Sequence, residues 1–102
     1  MQIEYVKNDT APAISVELEN TNIDGYTIKF KTQLTAGPVS LTLQITDAAA
    51  GKASAFPETT PGSNVAIFTE AGKFPAEVEV TDDVGHVFTF TGIKLKVHDE
   101  VA

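Results

Sequence analysis

Residues 72–97, GKFPAEVEVTDDVGHVFTFTGIKLKV, decide the fold class of this chain. Phe74, Ala76, Val78 and Val80 alternate with Pro75, Glu77, Glu79 and Thr81, the period of two expected of a strand with one face on a core and the other in water. A second run answers it after a turn. A three-residue loop of Asp83, Val84 and Gly85, with Gly85 in the left-handed conformation that closes such loops, sets Val80 opposite Phe88 and Val78 opposite Phe90. A four-residue loop would oppose Glu79 to Phe88 and mix the faces, so the hydrophobic pattern selects the shorter loop. Further along, the inward set Phe88 and Phe90 becomes Ile93, Leu95 and Val97, a phase change of one residue across Thr91-Gly92. A β-bulge with Gly92 supplying the backbone conformation is the simplest cause.

Upstream, Ile3 and Tyr5 begin a short strand, and Asn8-Asp9-Thr10-Ala11-Pro12 reads as a loop. Ile14, Val16 and Leu18 alternate with Ser15, Glu17 and Glu19. Asn20-Thr21-Asn22-Ile23-Asp24-Gly25 then reads as a tight hairpin turn into a partner strand, with Tyr26, Ile28 and Phe30 inward and Thr27, Lys29 and Lys31 outward. Ala36-Gly37-Pro38 breaks the chain before Val39, Leu41, Leu43 and Ile45. Asp47-Ala48-Ala49-Ala50-Gly51 is too short for an isolated helix and reads as a turn. Residues 52–56 form a short strand, and PETTPGSN at 57–64 is a loop whose prolines and glycine forbid regular structure. Val65-Ala66-Ile67-Phe68 fits a buried strand or a helical turn, which periodicity does not separate.

On this reading Tyr26, Phe30, Phe74, Phe88 and Phe90 belong to the core, and Tyr5 and Phe68 are the aromatics left free to be exposed. The expectation is a single domain over residues 1–102: an all-β, immunoglobulin-like antiparallel β-sandwich of about seven strands, with a small β-barrel as runner-up. A chain of this length buries about 60–70 % of its unfolded surface, enough for a core. There is no cysteine, so neither a disulfide nor a thiolate metal site contributes.

The net charge of −7 and the absence of arginine argue against a nucleic-acid partner, because phosphate binding needs clustered cations. The seven lysines read as scattered outward positions on strands, Lys29/Lys31 and Lys94/Lys96 standing two apart. No run approaches the length of a membrane span, and MQIEYVKNDT at the start carries no basic segment followed by an apolar one. The expected place of the chain is therefore a cytoplasm, unless it leaves within an assembly.

Chemistry is sparse. His86 opens a strand and His98 lies in an acidic tail with Asp99 and Glu100. Of the four serines none stands in a nucleophile elbow, and Ser15 and Ser40 point outward. Residues 20–25 resemble half of a calcium loop, but the twelfth position is Lys31 and the first is a neutral Asn, so turn chemistry accounts for them. Asp82 and Asp83 lack a third ligand. Gly51-Lys52-Ala53-Ser54 lacks the upstream glycine of a phosphate loop. No catalytic, cofactor-binding or metal residue is assigned, and no enzyme activity is expected.

The order of motifs does resemble a family. Lys7-Asn8-Asp9-Thr10-Ala11-Pro12 before the strand at Ile14, Ile23-Asp24-Gly25-Tyr26, the Asp47 to Gly51 turn, the Pro57 to Pro61 loop, Gly72-Lys73-Phe74 and the Glu77 to Gly85 strand and turn are similar to the immunoglobulin-like N-terminal domain of phage baseplate upper proteins and related small tail or fibre proteins. The resemblance implies a non-enzymatic virion part that joins tail, baseplate, fibre or head components. It also implies virion proteins as partners, and a symmetric homo-oligomer is the expectation that goes with that reading. No membrane insertion and synthesis in a host bacterial cytoplasm are expected alongside, from the absence of a long apolar run and of a basic-then-apolar start. A ligand-binding module that recognises a carbohydrate or surface receptor through its end loops is the alternative.

Overall fold

The computed structural model describes residues 2–99. Seven strands follow one another: β1 (Gln2–Val6), β2 (Ile14–Glu17), β3 (Thr27–Leu34), β4 (Gly37–Asp47), β5 (Lys52–Ala55), β6 (Gly72–Thr81) and β7 (Val87–His98), with no helix among the described residues. They make one sheet in the order β1-β7-β6-β3-β4-β5-β2. Strand β4 turns the corner. Its first part, from Gly37 to Leu43, pairs with β3, and its end, from Gln44 to Asp47, pairs with β5, with a register shift between Ile45 and Asp47.

The sheet has to curl. β1 and β2 are its two edges, yet only residues 7–13 join them. A flat sheet would hold edge strands six spacings, or about 29 Å, apart. A fully extended connection reaches no further than that, and this one turns back at Asn8 (φ 70°), with the Asp9 N–H donating to the Val6 carbonyl. The result is a half-barrel that wraps its own core.

The all-β class and the seven strands are as expected, but the expected all-antiparallel pairing is not. β1 runs parallel to β7, from Gln2 opposite Lys94 to Val6 opposite His98. No hairpin joins the first strand to the last, so no turn dictates their relative direction. The expected hairpin across residues 20–25 is also absent. β2 pairs with β5, Ile14 opposite Ala55, and β3 sits between β4 and β6. The Asn and Gly residues do turn the chain, with Asn22 Oδ1 accepting the Asp24 N–H at 3.0 Å. Ile23 plunges into the core and donates its N–H to the Ala48 carbonyl, which ties the segment to the β4–β5 turn instead.

The 72–97 hairpin forms as read. Val80 lies opposite Phe88 and Val78 opposite Phe90, and Gly85 has a φ of 96°. The pairing then shifts to Ala76 opposite Ile93, leaving Glu77 across from Thr91 and Gly92, whose φ is 79°. That is the bulge.

Two aromatics read as free to be exposed are core residues. Phe68, fully buried, packs against Tyr5 with the rings tilted by 52° and their centres 5.1 Å apart, and meets Phe30 edge-on at 6.3 Å. The segment 65–68 is neither strand nor helix; it is an irregular loop held by Ile67 N–H to the Pro57 carbonyl and by the Phe68 carbonyl, which accepts the Asn8 N–H. The Tyr5 hydroxyl donates to the Pro12 carbonyl at 2.6 Å, and burial pushes its pKa up to about 12. Glu58 is buried in the same region, its carboxylate accepting N–H groups of Gly62 and Asn64, so the 57–64 loop is organised around an acid rather than left loose.

Candidate interaction surface

The outward faces of β3, β6 and β7 carry Lys29, Lys31, Lys73, Lys94 and Lys96, five of the seven lysines in the chain. Their separation in sequence hid this, since only the strand order brings β3 beside β6 and β6 beside β7. Lys29 lies opposite Glu79 and Lys31 opposite Glu77, while Lys31 Nζ reaches diagonally to Glu79 Oε2 at 2.7 Å. That hydrogen bond holds the Glu79 carboxyl below its ordinary range. Lys73 lies directly opposite Lys96, a like-charge pair that costs sheet stability. A groove of about 950 Å³ runs beside them, between Lys31, Gln33, Lys73, Glu77 and Lys94.

The second feature is the far end of β7. Strand β1 pairs only with Lys94 to His98, so among the described residues nothing covers the outer edge of β7 from Val87 to Ile93. Phe88 and Phe90 lie on the core-facing side, opposite Val80 and Val78, yet are 43 % and 46 % exposed, with rings in edge contact at 5.5 Å. Their assignment to the core therefore fails. Strand phase places them on the correct face, but the layer that buries Val78 and Val80 does not reach over β7 there. Val84 and Val87 at the hairpin tip are exposed as well.

The loop that ends in this edge is rigidly capped. Asp82 Oδ1 accepts the Val84 N–H at 3.0 Å and the His86 N–H at 2.8 Å, and Oδ2 lies 3.3 Å from His86 Nδ1. Burial acts to raise the Asp82 pKa, but the backbone donors and the His86 ring outweigh it and leave the carboxyl below its ordinary value. Because the folded-state pKa is depressed, the stability this carboxylate contributes is full above the unfolded value and disappears as pH falls through the folded one. Glu79, and Glu4 through its hydrogen bond to His98, act with the same sign. The urea midpoint of the protein should therefore drop below about pH 4, and Asp82→Ala should flatten part of that drop while lowering the midpoint at neutral pH. An unchanged pH profile in the variant would remove Asp82 from this account.

No catalytic constellation is assembled among the described residues. His86 pairs with Asp82 and His98 Nε2 with Glu4 Oε1 at 2.9 Å, while Ser15 and Ser40 lie exposed on β2 and β4. No group of three or more His, Cys, Asp or Glu side chains is placed to hold a metal among these residues. Asn22 and Asp47, the oxygens nearest the supposed calcium loop and the alanine turn, accept N–H groups of their own turns, Asp24 and Ala50. Gly51 leads into a strand rather than the helix a phosphate loop requires. A smaller groove of about 510 Å³ lies on the β4–β5 side, lined by Gln44, Thr46, Ser54, Thr59 and the 54 % exposed Phe56.

Sequence reading passed over the β7 edge, the lysine face and Phe56. The edge did leave a signal: a last strand read from Phe88 to Val97 is much longer than the Ile3 to Tyr5 strand available to flank it. No protein-family model matches the chain, and no curated protein matches it.

Proposed function

We propose that this chain is a non-enzymatic structural or adaptor component of a phage or prophage virion, made in the host bacterial cytoplasm and working through protein–protein contacts. The observation that carries the reading is the pair Phe88 and Phe90, half exposed beside an uncovered strand edge. Apolar side chains next to unpaired backbone groups are kept on a surface where another chain meets it, since otherwise they invite aggregation. The motif order supports the virion assignment. For the fold, an immunoglobulin-like sandwich is favoured by the way the half built on β1, β7, β6 and β3 and the half built on β5 and β2 enclose one core, with β4 shared between them. The test is binding of the purified chain to the purified products of neighbouring reading frames. A complex weakened tenfold or more by Phe88→Ser with Phe90→Ser supports the reading; no complex with any tail, baseplate or head protein overturns it.

A carbohydrate-binding module is the second reading, favoured by the exposed Phe56, which lines a groove together with hydroxyl and amide side chains. Sugar rings stack on such aromatic faces. Titration with a glycan panel, and its loss in Phe56→Ala, separates this reading from the first.

A further inference from the structure

We propose that the open edge of β7 pairs with the same edge of a second copy, in an antiparallel two-fold register centred on Thr89. The inference rests on the reading that the chain works through protein contacts, and it names the partner for the β7 edge.

Hydrogen-bond directions define the register. The Asp82 N–H donates to the His86 carbonyl at 2.9 Å, so that opposed pair is of the hydrogen-bonded kind. Opposed pairs alternate between bonded and non-bonded along an antiparallel ladder. Val80 with Phe88 and Val78 with Phe90 are then bonded pairs as well, and Phe88 and Phe90 spend their backbone groups on β6. Val87 and Thr89 direct their N–H and C=O groups away from β6, to the side that β1 does not reach. A two-fold axis through Thr89 opposes Thr89 to its twin, both with outward backbone groups, and brings Val87 beside the second copy's Thr91, where the bulge begins. The same register opposes Phe88 to the second copy's Phe90 as a non-bonded pair, in which Cα atoms approach to about 4.5 Å and side chains meet closely. Four phenylalanine rings then lie side by side on the core-facing side of a sheet continued across both copies. A neighbour displaced by one residue would oppose outward groups to inward ones and lose the bonds.

Charge points to a second copy as the occupant. The chain carries −7, so two copies repel wherever their carboxylates face each other. Residues 84–93, VGHVFTFTGI, hold no Asp, Glu or Lys. This edge is where like-charged copies approach with least repulsion, and the bulge at Gly92 and the start of β1 pairing at Lys94 limit the contact to the residues that match. A contact of this length is short beside a standard stable interface, so the association to look for is a weak one.

The experiment is sedimentation velocity of the whole chain across the micromolar to submillimolar range, with two variants. Thr89→Pro removes an outward N–H and leaves the β6 ladder intact, because proline is tolerated where an edge residue faces away from its partner. It should weaken self-association tenfold or more. Thr89→Cys should form a covalent dimer under mild oxidation, since bonded antiparallel pairs hold Cα atoms about 5.5 Å apart, within disulfide reach. The chain has no other cysteine, and Val84→Cys at the hairpin tip should stay monomeric at the same dilution. A mass that remains monomeric throughout, or a dimer that survives Thr89→Pro and does not cross-link through Thr89→Cys, overturns the proposal. A monomer that binds a virion protein through Phe88 and Phe90 overturns this inference and leaves the proposed function standing; a dimer without virion partners does the reverse.

Discussion

Phe68→Ala should lower the unfolding free energy by about 3–5 kcal/mol, the range for emptying a buried aromatic site. Phe68 is wholly buried and is the ring on which Tyr5 of β1 and Phe30 of β3 converge. It therefore joins the sheet's edge to its middle through a side chain that comes from neither. The residue sits in an irregular loop, so the neighbouring strands cannot shift along a ladder to fill the space, and a cavity remains. For a domain of this size that loss means a fall in melting temperature on the order of 15 °C or more. Phe68→Leu keeps most of the volume and should cost less than about half as much. The Phe68 carbonyl still accepts the Asn8 N–H in both variants, so their difference reports packing alone. Equal and small losses in urea unfolding would show that the site collapses.

Gly51→Ala should be nearly as costly, for a different reason. Gly51 has a φ of +71°, and a Cβ there would stand 2.1 Å from the Leu18 carbonyl oxygen and 3.0 Å from that of Thr21. Both obstacles are backbone, so no side chain can swing aside. The Gly51 carbonyl also accepts the Leu18 N–H at 2.8 Å, which prevents the two segments from parting without losing that bond. A left-handed alanine alone costs about 1–2 kcal/mol, and displacing the 18–21 segment should bring the total to roughly 3 kcal/mol or more. Gly62→Ala is the control, because Gly62 has a similar φ of +80° with open space where its Cβ would go. The difference between the two unfolding energies isolates the steric contribution, and a difference near zero would refute it.

What could be read from the letters depended on how local the cause was. Residues 72–97 contain both strands, their loop and their bulge, so alternation alone specifies the register of Val78 and Val80 against Phe90 and Phe88. Residues 20–25 contain a turn but not its partners, and the chain uses it to send β3 away from β2 with Ile23 as the plug. Strand phase says which face Phe88 and Phe90 occupy. It says nothing about what lies over that face, and there nothing among the described residues does. Phe68 has no periodic signal because no strand carries it. The lysine face arises only when strands distant in sequence become neighbours, which no one-dimensional spacing records.

The parallel pairing of β1 with β7 has a mechanical consequence. A pull applied at Gln2 in one direction and at His98 in the other runs along both strands, while the bonds between Gln2 to Val6 and Lys94 to His98 lie across it. Those bonds are loaded in shear and share the tension, whereas a hairpin drawn apart at its open ends peels one bond at a time. Tension entering near one end of the chain and leaving near the other is thus carried by a short clamp before it reaches the core.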